Sequence, residues 1–170
     1  QAKKKIIGIN TGCADVVKYK RLTDAKQLEL IHGIEKNFDA QVVLLGGPDD
    51  TSRNQFLASQ STAIPSPSRN GVRDGLVSIA SCDLVISGDS LGMHMAIALK
   101  KPVVAWFGPT CSHEIDLYAR GQKITTKLEC GPCWKRNCSV EQKCNELQSI
   151  KPFLLAIHEE LFSKSQTQSF

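Results

Sequence analysis

The stretch from Leu84 to Phe107 constrains the fold of this chain more than any other part of the sequence. Two short apolar runs, 84–87 and 103–107, have the length and composition of buried strands. Residues 89–99 between them predict a helix of about three turns. The helix prediction rests on four apolar residues at helical spacing, namely Leu91, Met95, Ala98 and Leu99. A strand, a tight turn, a helix and a second strand therefore follow one another without interruption.

The turn that joins the first strand to the helix has the chemistry of an anion site. Asp89 or Ser90 can serve as the N-cap, and Gly88 removes the Cβ where the chain turns. The backbone N–H groups of Leu91 and Gly92 have no acceptor inside the helix and lie at the positive end of its dipole. Gly92 also leaves room for close approach of a phosphate. Many such turns are only scaffold, so this turn by itself does not predict a ligand.

The rest of the chain alternates between strand and helix patterns. We predict further strands over 6–10, 42–45, near Ile64 and over 123–126, with a polar loop over 11–21. Helices are predicted from Thr23 or Asp24 to Phe38, and over 48–59, 72–80 and about 152–162, with a short one within 110–120. This alternation predicts an α/β fold, with a Rossmann-like parallel sheet and helices on both faces. One domain over 1–162 is expected, followed by a frayed tail over 163–170.

Ligands of such sheets bind beyond the carboxyl ends of the strands. Four predicted turns lie at such ends, and their convergence on one edge is a stronger signal than any single turn. They are Asn10 to Gly12, Gly46 to Asp50, Gly88 to Gly92 and Gly108 to Thr110.

Composition narrows the class of protein. The 170 residues suit one domain with a sizeable core, and 41% hydrophobic with 22% charged residues are ordinary globular values. The net charge of +4 fits an anionic ligand. No apolar run approaches the roughly 20 residues that span a bilayer, and no signal peptide is visible. Seven cysteines without a secretory signal indicate a reducing, cytoplasmic environment.

Four of the cysteines form the pattern C-x2-C-x4-C-x5-C within a loop over 130–144. They are Cys130, Cys133, Cys138 and Cys144. This spacing can close a tetrahedral shell around a structural zinc ion and is close to that of a zinc knuckle, with Trp134 placed to stack on a single-stranded nucleic acid. Reduced thiols or an adventitious disulfide are the simpler interpretation, which we favour.

The central stretch resembles one known family. Residues 88–96 (GDSLGMHMA) and 102–110 (PVVAWFGPT) are similar to the donor-binding half of the ADP-heptose:lipopolysaccharide heptosyltransferases, GT-B enzymes of glycosyltransferase family 9. The resemblance extends from about Ile6 to Ile157. It implies the C-terminal half of a GT-B fold and inverting transfer of heptose from ADP-heptose, or from another nucleotide sugar, to a lipopolysaccharide core acceptor. It implies no required cofactor.

The resemblance assigns the loop over 11–21 to the phosphates of the donor. Negative charge builds on the leaving diphosphate, so a cation and N–H dipoles placed there lower the barrier. Lys20 matches the phosphate-binding lysine of the family best, and Thr11 and Gly12 offer a hydroxyl and an open backbone. Lys18 stays open as an alternative, because Leu22 replaces the aromatic residue that is usual in the family.

In the family, an acid in the turn that corresponds to Gly88–Gly92 contacts and orients the donor sugar. Here that acid is Asp89. Lys20 and Asp89 are therefore our catalytic candidates. Ser90, Leu91 and Gly92 are expected to bind the diphosphate, largely through backbone N–H groups. His94, one turn further along, is given a supporting role at most.

Two further positions correspond to family contacts with the nucleoside. Asp49 matches an acid after the second strand that accepts hydrogen bonds from the ribose, although a helix cap would explain it equally well. Asn70 corresponds to a position whose backbone contacts the base.

A GT-B enzyme also needs an acceptor domain and a general base that deprotonates the attacking hydroxyl. We expect neither within this chain, which is predicted to bind donor but hardly to turn over. The full enzyme is expected to act at the cytoplasmic face of the inner membrane, with peripheral membrane contact and without nucleic acid. The alternative from a different class is a non-catalytic module that binds nucleic acid or protein through a four-cysteine metal site.

Overall fold

Six parallel strands form the centre of the structure, a computed structural model that describes residues 4–141 and 143–163. Their order across the sheet is β3-β2-β1-β4-β5-β6, and each neighbouring pair runs parallel. The strands are β1 Lys5–Asn10, β2 Ala40–Leu45, β3 Ile64–Pro65, β4 Leu84–Gly88, β5 Val103–Phe107 and β6 Gly121–Thr125. The predicted parallel sheet is thereby confirmed.

Six α-helices connect or follow the strands. They are α1 Asp24–Asn37, α2 Thr51–Ser59, α3 Val72–Ala80, α4 Leu91–Ala98, α5 Cys144–Leu147 and α6 Lys151–His158. Shorter helical turns are the 3-10 helices Asp15–Lys20, Pro48–Asp50 and Ser112–Glu114 and the π-helical turn Glu159–Ser163. Thr23 caps α1, where its side chain accepts a hydrogen bond from the backbone N–H of Lys26 at 3.3 Å.

The helices cover both faces of the sheet, as predicted. One hydrophobic cluster packs α1, α2 and α6 on the sheet through side chains such as Leu30, Leu57 and Phe153. A second cluster packs α3 and α4 on the opposite face through Ile79 and Met93. Because β4 and β5 lie between the two layers, their side chains are buried almost without interruption, which explains their apolar sequences.

The strand, helix and strand over 84–107, here called the central unit, form where they were predicted, but α4 buries a different face from the one expected. Met93 and Ala96 are fully buried, whereas Leu91, which we had counted on the apolar face, is 63% exposed. Leu91 is the first residue of the helix, and the core contacts of α4 come from Met93 and Ala96 instead. The spacing therefore predicted the helix correctly and its buried face wrongly.

Three short elements also differ from the prediction. The loop over 11–21 contains the 3-10 helix Asp15–Lys20, the segment 110–120 forms only the 3-10 turn Ser112–Glu114, and α5 was not predicted. One-turn helices contain too few residues to show a period, so no apolar pattern marks them. The predicted tail lies outside the described residues from Lys164 onward, and Ser163 ends the π-helical turn.

The topology determines where a ligand can bind. β1 and β4 are neighbours, and the chain leaves them toward opposite sides of the sheet, so a crevice opens at their carboxyl ends. The loops after β1, β2 and β4 border this crevice. None of the helices formed by the described residues combines the length and apolar character needed to cross a bilayer.

Candidate functional site

A cavity of about 680 Å³ occupies the crevice at the carboxyl ends of β1, β2 and β4. Its walls come from the segments 10–21, 45–53, 66–79 and 89–95. Three of the four predicted turns therefore meet at one site. The fourth, Gly108 to Thr110, lies at the same edge of the sheet, because β5 runs parallel to β4, but it does not line this cavity.

Lys20 and Asp89 meet at the wall of the cavity. The Nζ atom of Lys20 lies 2.9 Å from Oδ2 of Asp89, and the two side chains are only 21% and 14% exposed. Lys20 ends the 3-10 helix after β1, and Asp89 stands between β4 and α4. The Nε2 atom of His94 lies 4.0 Å from the other carboxylate oxygen of Asp89. A cation and a carboxylate from distant parts of the chain thus share one desolvated position.

Gly88 allows Lys20 to reach this position. A Cβ atom on Gly88 would clash with the backbone carbonyl oxygen of Lys20, so the end of the 3-10 helix rests directly on the turn after β4. We had attributed Gly88 to the bend of the chain. The structure gives a second reason, which is the close approach of another backbone segment.

Asn10 joins the turns after β1 and β4. Its side-chain amide donates to the carbonyl of Gly12 at 3.0 Å and to the hydroxyl of Ser90 at 2.9 Å. A Cβ atom on Gly92 would come within 2.7 Å of Cγ of Asn10, so the missing side chain accommodates Asn10. Gly92 also lines the cavity, so the expectation that it leaves room for a phosphate stays a prediction. Asn10 itself was not singled out from the sequence.

The first turn of α4 borders the cavity with backbone N–H groups that have no acceptor inside the helix. The carbonyl of Ser90 accepts hydrogen bonds from the N–H groups of Met93 and His94 at 3.1 and 3.3 Å. The preceding N–H groups, those of Leu91 and Gly92, have no acceptor within the helix. Both residues line the cavity, so the positive end of the helix dipole faces the space beside Lys20.

The two acids after β2 have different environments. Asp50 accepts hydrogen bonds from the backbone N–H of Gly47 at 2.9 Å and from Arg53 at 2.6 Å, and Arg53 also contacts Asp24 at 3.2 Å. These contacts hold Asp50 in place. Asp49 is exposed, lines the same cavity and forms no hydrogen bond or ion pair within the described part of the chain. Its carboxylate is therefore available to a ligand.

Two predicted binding residues lie outside the cavity lining, and so does the alternative lysine. Thr11 is fully buried, and its hydroxyl donates to Oδ1 of Asn54 at 2.5 Å. Asn70 is exposed, although Ser68 and Gly71 on either side of it line the cavity. The ammonium of Lys18 lies 5.6 Å from the ring centroid of Tyr19 instead of facing the cavity.

The sequence did not predict the part of the cavity wall that α3 and the loop before it form. This part is formed by the segment 66–79 together with Met95, and its side chains include Val72 and Ile79. Val72 and Gly75 are three residues apart in α3, so they share one face of that helix. This spacing was the available signal, but without the topology nothing directed that face toward the loops after β2 and β4.

The four cysteines of the loop surround a separate cavity of about 20 Å³, together with Gly108, Pro109 and Tyr19. Burial raises the pKa of Cys144 to about 11. Within residues 4–141 and 143–163, however, no three His, Cys, Asp or Glu side chains are arranged to hold a metal ion. The arrangement therefore gives no support to the zinc site or to the module that we had considered as an alternative function.

Comparison with known proteins gives one family. The family model described as glycosyltransferase family 9 (heptosyltransferase) matches residues 1–144. Lipooligosaccharide heptosyltransferase 2 of Campylobacter jejuni is 26% identical over 156 residues, which are 88% of this chain and 48% of that protein. The chain thus spans about half the length of this curated relative.

Solved structures share the fold. ADP-heptose lps heptosyltransferase II of E. coli superposes with a TM-score of 0.71 at 21% identity, over 97% of this chain and 49% of that one. E. coli heptosyltransferase WaaC, solved with ADP-2-deoxy-2-fluoro heptose, gives a TM-score of 0.66 at 16% identity over 92% and 43% of the two chains.

Proposed function

Because the chain belongs to glycosyltransferase family 9, we propose that it is the donor-binding domain of an inverting glycosyltransferase. The proposed reaction transfers heptose from ADP-heptose to a lipopolysaccharide core acceptor. One observation carries this proposal. Lys20 and Asp89 lie 2.9 Å apart on the wall of a cavity of about 680 Å³ at the switch point of the sheet.

The diphosphate of the donor is proposed to bind between Lys20 and the first turn of α4. The ammonium of Lys20 and the N–H groups of Leu91 and Gly92 would surround its oxygens with positive charge. When the bond from the sugar to the diphosphate breaks, negative charge grows on the leaving oxygen. Groups already fixed at that place stabilise the transition state more than the ground state.

Asp89 is proposed to orient the donor sugar. In the structure its carboxylate is paired with Lys20. When the diphosphate binds the ammonium of Lys20 in place of Asp89, the carboxylate of Asp89 becomes available to accept hydrogen bonds from sugar hydroxyl groups. His94, whose Nε2 atom lies 4.0 Å from this carboxylate, is proposed to have a supporting role at most.

The nucleoside is proposed to extend toward the segment 66–79. Asp49, whose carboxylate is exposed at the cavity, suits the ribose hydroxyls. The side chains of Val72 and Ile79 offer apolar contacts to a base. Two similar proteins carry ADP-heptose or an ADP-sugar analogue in their names, which supports adenine as the base.

The acceptor site and the general base are proposed to reside in the part of the enzyme that corresponds to the unmatched half of the relatives. An inverting transfer needs a base that removes the proton from the acceptor hydroxyl as it attacks the sugar. Since the proposed acceptor is a lipopolysaccharide core, we place the reaction at the cytoplasmic face of the inner membrane.

Calorimetric titration of this chain with ADP, UDP and GDP tests the proposed binding. We expect ADP to bind in the micromolar to millimolar range and more tightly than the other two nucleotides. Absence of binding by all three at millimolar concentrations would contradict a nucleotide-sugar site. In the full-length enzyme, Asp89→Ala should abolish most heptose transfer, and normal turnover of that variant would remove the role assigned to Asp89.

A further inference from the structure

The segment formed by residues 130–141 and 143–147 packs against the part of the chain that carries Lys20. Tyr19, the neighbour of Lys20, lines the small cavity that the four cysteines surround. On the other side, the carboxamide of Asn145 donates to the carbonyl of Arg21 at 3.0 Å. The backbone carbonyl of Asn145 accepts from the N–H of Thr23 at 3.3 Å. The residues before and after Lys20 are therefore both held by this segment.

Trp134 of the same segment reaches Lys20 itself. The Nζ atom of Lys20 lies 5.9 Å from the centroid of the Trp134 ring, within the range of a cation–π interaction. Trp134 is 50% exposed, whereas Trp106, the other tryptophan, is 1% exposed and belongs to the core. Packing thus accounts for Trp106 but leaves half of Trp134 in solvent beside the donor cavity.

The backbone conformation of Trp134 is unfavourable for a large side chain. Its φ angle is +54°, in the left-handed region that bulky side chains rarely adopt. A backbone hydrogen bond of 2.8 Å from its N–H to the carbonyl of Pro109 holds the residue there. A glycine would adopt this conformation without strain. A large exposed aromatic ring in a conformation that disfavours it calls for a function of the ring.

We propose that Trp134 is a positioning residue for Lys20, which rests on the diphosphate-binding role proposed for that lysine. The ring face and the carboxylate of Asp89 hold the ammonium at the cavity wall. When Asp89 turns to the donor sugar, the ring is the contact that continues to orient the lysine toward the diphosphate. Trp134 thereby reduces the side-chain freedom that Lys20 loses on binding.

Binding of ADP to this chain tests the proposal through a double-mutant cycle. Trp134→Ala should weaken ADP binding roughly two- to five-fold, the range of an exposed cation–π interaction. Trp134→Phe keeps a ring and should restore most of this loss. In a Lys20→Ala background, Trp134→Ala should have no further effect, because the ring then has no cation to position.

Leu147→Ala is the matched control, since Leu147 is an exposed apolar residue, 46% exposed, in the same segment and does not line the small cavity beside Tyr19. Its ADP affinity should equal that of the wild type. An equal loss on Trp134→Ala with and without Lys20 would show a general structural effect and would overturn the proposal. Unchanged affinity of Trp134→Ala in the wild-type background would overturn it as well.

Tryptophan emission of the chain without nucleotide tests the contact directly. Subtracting the spectrum of Trp134→Phe, which retains Trp106, isolates the emission of Trp134. Lys20→Ala should shift this emission, because it removes a positive charge beside the indole, and an unchanged spectrum would refute the contact. If the wild type bound neither ADP nor inorganic pyrophosphate, the proposed function would fail while the emission measurement still decided whether Trp134 positions Lys20.

Discussion

Replacing Lys20 should weaken ADP binding, whereas replacing Asp89, its partner in the ion pair, should not. Lys20→Ala removes the cation that we propose binds the diphosphate. A hydrogen bond to a charged group contributes about 1.5–3 kcal/mol, so we expect ADP to bind roughly 10- to 150-fold more weakly. Asp89→Asn removes the carboxylate that competes with the diphosphate for the same ammonium, 2.9 Å away. ADP should therefore bind to this variant as tightly as to the wild type or more tightly.

Neither substitution should unfold the chain. The two side chains are only 21% and 14% exposed, so removing one partner leaves the other charge unpaired in a mostly desolvated position and should cost about 1–3 kcal/mol. For a protein of this size, each kcal/mol corresponds to a decrease of about 2–4 °C in Tm. Thermal unfolding measured on the same samples separates a loss of binding from a loss of structure.

Calorimetry with ADP is the assay, and Lys18→Ala is the matched control. Lys18 belongs to the same 3-10 helix but its ammonium lies over Tyr19 instead of the cavity, so its replacement should leave ADP affinity unchanged. If Lys20→Ala and Asp89→Asn weakened binding equally, the intact ion pair would be what the nucleotide requires. Competition between the carboxylate and the diphosphate would then be refuted.

Three further predictions follow from local geometry. Gly88→Ala should lower the free energy of unfolding by about 1–3 kcal/mol and weaken ADP binding, since its Cβ would displace the backbone of Lys20; calorimetry and thermal unfolding would detect both effects. Trp134→Gly should have a higher Tm than Trp134→Ala, because both variants lack the ring and only glycine relieves a φ of +54°, and a lower Tm of the glycine variant would contradict the assignment of strain to this residue. Cys82 and Cys144, whose burial raises the pKa of each thiol to about 11, should react with iodoacetamide at pH 8 more slowly than the exposed Cys130, as peptide mass spectrometry would show.

The raised thiol pKa values also predict a pH dependence of stability. In the folded state the pKa of each thiol lies above its ordinary value of 9.0, so both thiols keep their protons to a higher pH than in the unfolded chain. Their contribution to stability is complete below about pH 9 and is lost as the pH rises toward 11. Serine in place of Cys144 should reduce this alkaline loss in a thermal unfolding series.

Local patterns predicted the elements of the central unit well. Residues 84–107 form a strand, turn, helix and strand because each element is specified by neighbours a few positions away. The same stretch predicted the amides of Leu91 and Gly92 at the start of α4. It did not predict which face of α4 is buried, because that depends on how the helix packs against the sheet and α3, where Met93 joins the core and Leu91 does not.

Contacts between distant positions could not be predicted from periodicity. Asn10 and Ser90 are 80 positions apart, and their hydrogen bond exists only because β1 and β4 are neighbours in the sheet. The choice between Asp49 and Asp50 likewise depended on Arg53, which takes Asp50 into an ion pair and leaves Asp49 exposed. The four cysteines have a spacing that is typical of metal sites. Among the described residues, however, no three potential ligands are arranged to hold a metal ion.

What the sequence by itself determined is the order of strands and helices and the placement of candidate polar groups after the strands, since both depend on short-range periodicity and turn chemistry. The tertiary structure decided which of these groups meet. Strand order 3-2-1-4-5-6 brings the turns after β1, β2 and β4 to one crevice and leaves the turn after β5 beside the cysteines. Side chains form a site only when the sheet sets their distances, and strand order depends on pairing between segments far apart in the chain.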